Sequence, residues 1–104
     1  MIAVLVRFSY ESGFSEERLR QVAEAAQAKF EGMPGLRSKA FTIDPVNQEA
    51  LNFYIWDSEE AAKTFFSEQL VAQVTEIYGV KPSVQFLDLA ALVENRSRAA
   101  VPSE

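Results

Sequence analysis

The sequence contains no cysteine and no histidine. Without cysteine, disulfides, iron–sulfur clusters and thiol nucleophiles are excluded. Without histidine, the chain lacks the commonest general base and the commonest ligand of metals and haem, so we predict no metal site. The formal net charge of −5 opposes binding to phosphate backbones and to anionic lipid. We therefore expect neither a nucleic acid nor a membrane among the partners.

Long hydrophobic runs are also missing. The apolar start from Met1 to Val6 is interrupted at Arg7, and it has neither a basic region before it nor a small-residue cleavage site after it. We therefore expect a buried first strand and a cytoplasmic protein. The 104 residues, 48% of them hydrophobic, are enough for a single domain, which we place at residues 1–95. Residues 96–104 are small and polar, which is typical of a tail or of a clasp on a partner.

The segment from residue 50 to residue 56 organises the chain. Its β-favouring residues predict one strand of a sheet, with side chains that alternate between the two faces. One face carries Leu51, Phe53 and Ile55, and the other carries Ala50, Asn52, Tyr54 and Trp56. The second face looks buried although it bears an amide, a phenol and an indole. Buried polar groups need partners, so this face either holds a satisfied hydrogen-bond network or lines a pocket.

The rest of the chain predicts four strands and two helices. Alternation indicates strands at 2–10, 36–44, 50–56 and 83–94. Helical spacing indicates one helix between Ser15 and Gly32, and one long helix that begins near Asp57 or Ser58 and ends before Gly79. The order β-α-β-β-α-β predicts an α+β, ferredoxin-like fold with a four-stranded antiparallel sheet.

Apolar residues occupy both faces of the first, third and last predicted strands. Two helices can cover only one face of a four-stranded sheet, and a large exposed apolar patch is rare on a monomer. We therefore predict a homodimer that pairs through its sheet faces. An RNA-recognition module shares this element order, but its third strand carries a basic aromatic signature that is missing here.

Several polar and aromatic residues are candidates for a site. Arg7 and Asp88 lie in otherwise apolar strands, where a lone buried ion is costly, so they either pair with each other or face a cavity. The larger aromatic residues are either plain core or, with Trp56, an aromatic slot for a flat ligand. They are Tyr10, Tyr54, Phe65, Phe66 and Tyr78.

Three short segments carry a resemblance to a known superfamily. They are the turn Met33-Pro34-Gly35-Leu36, the stretch Tyr54-Ile55-Trp56 with Ser58-Glu59-Glu60-Ala61-Ala62, and the strand from Val84 to Leu89. With the element order, they make the chain resemble the dimeric α/β-barrel superfamily, and within it the small putative mono-oxygenase and antibiotic-biosynthesis mono-oxygenase families. The resemblance implies a cavity between sheet and helices in which O₂ oxygenates a flat phenol, quinol or anthrone without flavin, haem or metal.

The resemblance also implies roles for individual residues. The relatives place an Asn and a Trp four apart on the third strand, which Asn52 and Trp56 match as catalytic residues. Asn52 would donate to the developing oxyanion, Trp56 would stack on or hydrogen-bond the substrate or oxygen species, and Arg7 would steady negative charge. The substrate-binding set is Arg7, Tyr54, Phe65, Tyr78 and Asp88. Without histidine there is no axial ligand of the haem-degrading relatives. Either Asp88 or a tyrosinate would have to accept a proton, or the substrate must arrive already acidic. The alternative is a dimeric protein that binds a small molecule in the same cavity without chemistry.

Overall fold

The computed structural model describes residues 1–95 and shows a ferredoxin-like fold with a four-stranded antiparallel sheet. In chain order the elements are β1 (Ile2–Ser9), α1 (Glu16–Phe30), β2 (Leu36–Asp44), β3 (Glu49–Trp56), α2 (Glu59–Phe65), α3 (Glu68–Tyr78) and β4 (Ser83–Asp88). The strands lie in the order β2-β3-β1-β4, and each neighbouring pair is antiparallel. The predicted fold class is confirmed. The predicted tail at residues 96–104 lies outside the described residues.

Each helix within residues 1–95 begins at a serine whose side chain accepts a hydrogen bond from a backbone N–H in the first turn. Ser15 accepts from Arg18, Ser58 from Ala61, and Ser67 from Leu70. Such a cap satisfies a donor that the helix itself leaves unpaired. Of the two caps that the sequence offered for the second helix, the structure uses Ser58.

The single long helix predicted between Asp57 and Gly79 is wrong, because the structure divides it into α2 and α3. Phe66 leaves the helical conformation with ψ 59, and Ser67 then caps a new helix. Apolar spacing continues across the break, so periodicity alone gives no sign of it. The break separates the short helix beside the end of β3 from the helix that covers its middle.

The predicted last strand, residues 83–94, is too long. Strand β4 ends at Asp88, and residues 89–95 have no regular secondary structure. Alternation of apolar residues continues beyond the ladder, but β4 pairs with β1 only as far as Ile2, where β1 begins. A strand without a partner has no ladder to extend.

The two faces of the sheet differ in what covers them. The helices pack on the face that bears Ile2, Val4, Val6 and Phe8 of β1 with Ala50, Asn52, Tyr54 and Trp56 of β3, all of which are buried. On the other face, which we call the open face, Phe53 is 36% exposed and Leu5 and Leu51 are half-buried. None of the helices between residues 1 and 95 is long and apolar enough to cross a membrane.

Candidate functional site

Two hollows lie between the sheet and the helices and share three lining residues, Lys39, Asn52 and Tyr78. The inner hollow, about 70 Å³, lies between the sheet and α3. The outer hollow, about 290 Å³, lies between α1 and the strands β2 and β3. The outer hollow, whose wall mixes polar and apolar side chains, is near the lower end of the sizes typical of small-molecule sites. The inner hollow has a mostly apolar wall and is well below that size.

Asn52 and Tyr78 form the polar contact where the hollows meet. The Asn52 side-chain amide donates a hydrogen bond to the Tyr78 hydroxyl oxygen, 3.1 Å away. Asn52 is 3% and Tyr78 8% exposed, so both groups are withdrawn from bulk water. An amide carries two N–H donors, and the Tyr78 hydroxyl has its own proton to donate. The pair can therefore offer donors to an oxygen atom of a ligand.

Stacked and edge-on aromatic rings make up much of the inner wall. Phe8 stacks on Tyr78 with ring centroids 3.8 Å apart and an angle of 8° between the planes. Tyr54 meets Phe66 edge to face at 4.9 Å and lies 6.0 Å from Phe65. These rings line the inner hollow together with Phe30. Aromatic side chains of this kind can contact an aromatic ligand through their faces or their edges.

Burial keeps the tyrosines of the site protonated. Burial raises the pKa of Tyr54 far above its ordinary value, and the neighbouring Tyr78 raises it further. Burial also raises the pKa of Tyr78, although the hydrogen bond from Asn52 opposes the change. A tyrosinate at neutral pH, one of the two proton acceptors that the sequence offered, is therefore disfavoured.

Lys39 is the residue that the sequence analysis missed. Its ammonium nitrogen lies over the ring faces of Phe30, Phe41 and Tyr54, at 3.5, 4.1 and 4.4 Å from their centroids. Burial and, secondarily, the like charge of Lys29 lower the pKa of Lys39 to about 7. In the sequence, Lys39 follows Arg37 and Ser38, a polar run that is typical of a solvated edge strand. The residues next to Lys39 in the sequence do not mark it as a site residue, because one of the three rings around it, Phe30, comes from α1.

Trp56 lies outside both hollows. It is 1% exposed and packs behind the aromatic wall, with its ring 5.0 Å from Phe65 and 6.0 Å from Tyr54. Four residues of strand separate it from Asn52 by about 13 Å, so a shared face does not bring the two side chains together. Its indole Nε1 is buried and has no hydrogen-bond partner in the described part of the chain. Trp56 instead borders a shallow surface hollow with Met33, Pro34 and Ser58.

Arg7 and Asp88 do not pair, and neither lines the hollows. The Arg7 side chain shares the open face with Glu49, whose Oε1 lies 2.8 Å from Arg7 Nη1. In the β1–β4 ladder Arg7 is opposite Ser83, whereas Asp88 is opposite Ile2 at the far end. Asp88 is exposed. The structure therefore brings together Asn52, Tyr54, Phe65 and Tyr78 of the predicted set, and leaves out Trp56, Arg7 and Asp88.

The sequence of the chain matches a known protein family. The family model described as "Putative mono-oxygenase ydhR" matches residues 4–86. The chain belongs to this family. The match spans β1 to β4 and includes each of the residues that the two hollows share. A comparison with curated proteins found no match.

Solved structures show the same fold. A monooxygenase from the gene ActVA-Orf6 of Streptomyces coelicolor, in complex with nanaomycin D, is 18% identical, with 90% of this chain and 91% of that chain covered and a TM-score of 0.67. SnoaB, a cofactor-independent oxygenase from Streptomyces nogalater, is 11% identical, with coverage of 90% and 97% and a TM-score of 0.63. A dimeric ferredoxin-like protein of unknown function from Thermobifida fusca is 16% identical, with coverage of 85% and 90% and a TM-score of 0.64. At these identities the likeness concerns the fold.

Proposed function

We propose that this family member is a cofactor-independent mono-oxygenase that oxidises a flat aromatic phenol, quinol or anthrone with O₂ in the space between sheet and helices. The observation that carries the proposal is the buried Asn52–Tyr78 hydrogen bond at the junction of two partly aromatic hollows. A polar pair at such a place marks where a ligand oxygen would bind. Relatives of the same fold include a cofactor-independent oxygenase and a monooxygenase with a bound aromatic ligand.

The reaction needs no cofactor if the protein stabilises the substrate anion and excludes water. An anthrone loses a proton, and its anion passes one electron to O₂ to give a substrate radical and superoxide. The two combine to a peroxide anion, which takes back the proton lost in the first step. The resulting hydroperoxide loses water and leaves a carbonyl group. One oxygen atom of O₂ enters the product and the other leaves as water, so the reducing electrons come from the substrate. The Asn52 amide and the Tyr78 hydroxyl stabilise the oxyanion in a site of low dielectric.

The open face completes the proposal as the dimer interface. Its apolar side chains include Leu5, Leu51 and Phe53, and a second copy would cover them without touching the hollows on the other side of the sheet. The Arg7–Glu49 ion pair lies on the same face and would become part of that interface. A related structure from Thermobifida fusca is a dimer of this fold.

A ligand-binding protein without chemistry is the second candidate. The position of Trp56 favours it, because this residue is sealed behind Tyr54 and Phe65 and does not reach the space beside Asn52. A site that holds an aromatic phenol needs the same rings and the same amide, whether or not O₂ reacts there. Only turnover separates the two functions.

The test is a titration with quinols and anthrones in air-saturated buffer. Dithranol, a flat three-ring anthrone, is a suitable first ligand. Trp56 is the one tryptophan of the sequence and packs against the wall of the inner hollow, so its fluorescence reports binding while an oxygen electrode reports turnover. Quenching with protein-dependent oxygen uptake supports the mono-oxygenase. Quenching without uptake supports the binder, and no response to any ligand contradicts both.

A further inference from the structure

Lys39, at the junction of the two hollows, is enclosed by aromatic rings. Lys39 projects from β2 towards the helices and lines both hollows together with Asn52 and Tyr78. Three aromatic rings surround its nitrogen at 3.5–4.4 Å. Ring faces attract an ammonium ion within about 6 Å, so the cage is suited to hold the charged form once that form is made.

Among residues 1–95 the cage has no carboxylate counter-ion. The ion pairs found within residues 1–95 leave Lys39 without a carboxylate partner. Its hollows and the adjoining surface bring seven titratable side chains near it: Arg20, Glu24, Lys29, Glu31, Arg37, Tyr54 and Tyr78. Of these, Lys29 is the charge that acts on Lys39 most, and it disfavours the ammonium form. Burial acts in the same direction, so a neutral amine is available near neutral pH.

We propose that Lys39 accepts the phenolic proton of the substrate and, as the resulting ammonium ion, holds the phenolate beside Asn52. The proposal rests on the proposed function, since it assumes that a phenol or the enol form of an anthrone binds in the hollows. The substrate O–H bond breaks, an N–H bond forms on the neutral amine, and no proton is exchanged with water. The phenolate then supplies the counter-charge that the cage lacks, while the rings support the new cation.

Lys39 would supply the proton acceptor that the sequence did not identify. Of the two acceptors that the sequence offered, Asp88 is exposed and away from the hollows, and burial holds the tyrosines in their neutral form. Lys39 lies at the junction itself, and its pKa of about 7 is close to the value that a general base needs at neutral pH. The substrate class follows: a flat phenol that is neutral in water and becomes an anion only when bound.

The test uses 2-naphthol, an air-stable fused-ring phenol that is mostly neutral at moderately alkaline pH. Its anion absorbs at longer wavelength than the phenol and outside the tryptophan band, so the spectrum of the bound ligand shows its ionisation directly. The variants are Lys39→Met, which removes the amine, and Lys39→Arg, which keeps the charge but cannot accept a proton. Lys63→Met is the matched control, because Lys63 is exposed on α2 and pairs with Glu59.

We expect the wild-type protein and the Lys63→Met control to bind naphthol as its anion without net proton release, measured by calorimetry in two buffers of different ionisation enthalpy. With Lys39→Met the anion band is lost while the neutral phenol still binds. With Lys39→Arg the anion band remains, but each bound ligand releases a proton to the buffer. A neutral ligand in the wild-type protein, or an anion band that persists in Lys39→Met, overturns the proposal.

Oxygen uptake distinguishes failure of this inference from failure of the proposed function. If the wild-type protein binds naphthol in its neutral form but consumes oxygen with dithranol, the proposed role of Lys39 is contradicted and the proposed mono-oxygenase activity is supported. If the naphthol anion depends on Lys39 but no oxygen is consumed, Lys39 is supported as the group that binds the phenol, and the proposed mono-oxygenase activity is contradicted. If neither naphthol nor dithranol binds, both proposals fall.

Discussion

Asn52 donates a hydrogen bond through one of its two amide N–H groups to the Tyr78 hydroxyl oxygen, 3.1 Å away, inside a largely apolar core. This contact joins β3 to the last turn of α3, so it is structural as well as chemical. Loss of a partner from a buried polar group costs about 1–3 kcal/mol, which is more than the net worth of the bond. Asn52, which we propose to bind a substrate oxygen, therefore also stabilises the fold.

A double-mutant cycle measures the structural contribution of this contact. We expect Tyr78→Phe to lower the free energy of unfolding by about 1–3 kcal/mol, because it leaves the Asn52 amide unpaired. Asn52→Ala should cost a similar amount, and the double variant less than the sum of the two. Urea unfolding followed by Trp56 fluorescence measures all four proteins. Additive costs would contradict a direct Asn52–Tyr78 interaction.

The caged lysine makes stability depend on pH. Burial lowers the pKa of Lys39 to about 7 from 10.5, so between these values the unfolded chain binds a proton that the folded chain does not. The free energy of unfolding then rises as pH rises through this window, and the penalty of the buried charge is fully present below it. We expect the wild-type protein to gain stability relative to Lys39→Met between about pH 7 and pH 10, measured by urea unfolding. An identical pH profile for the two proteins would show that Lys39 titrates normally.

At the scale of elements, the turn between α1 and β2 fits closely against the start of α2. Gly35 has φ +82, and a Cβ built there would lie 3.0 Å from the Ala61 Cβ. Its carbonyl also accepts a hydrogen bond from the N–H of Asp57 at 2.8 Å. The Met33-Pro34-Gly35 turn, which contributed to the resemblance, thus has a packing reason for its glycine.

Gly13 provides the matched control for this turn. It has a similar φ of +78, but an added Cβ would meet no atom of residues 1–95 within 4 Å. Both alanine variants incur the cost of a left-handed conformation, about 1–2 kcal/mol, and Gly35→Ala should lose roughly 1–3 kcal/mol more through overpacking against Ala61. Thermal or urea unfolding compares them. Equal losses for the two variants would mean that the turn accommodates the extra methyl group.

The order of the elements could be predicted from the sequence because each half-buried strand repeats its apolar side with period two and each helix with period 3.6. The break between α2 and α3 could not, since its only local signal is Ser67 within an unbroken apolar spacing. Alternation likewise predicted correctly that Asn52, Tyr54 and Trp56 share one face of the sheet, but not whether that face meets the helices or the partner. It gave no indication that Trp56 lies too far along β3 to reach the hollow, or that the rings around Lys39 come from α1, β2 and β3.

At the scale of the whole molecule, we expect a second copy of the chain to bind at the open face. Phe53 on this face is 36% exposed, and Phe86, on the helix-bearing face of β4, is 37% exposed. The two residues therefore form a matched pair for substitution by aspartate. We expect Phe53→Asp to convert a dimer to monomers in sedimentation-velocity experiments, because it places a charge in the apolar interface, while Phe86→Asp remains dimeric. A monomeric wild-type protein, or dissociation by both variants alike, would contradict pairing through the open face.

Oxygen uptake with dithranol, by the wild-type protein and by Asn52→Ala, tests whether the reaction takes place beside Asn52. Asn47→Ala is the control, because Asn47 lies in the exposed β2–β3 hairpin and bonds only to Asp44 among the side chains of the described chain. Loss of one oxyanion donor typically lowers kcat about 10²–10³-fold, so we predict a fall of this size for Asn52→Ala and no comparable change for Asn47→Ala, with both variants folded. Unchanged oxygen uptake by folded Asn52→Ala would show that the reaction, if catalysed, does not take place between the sheet and the helices.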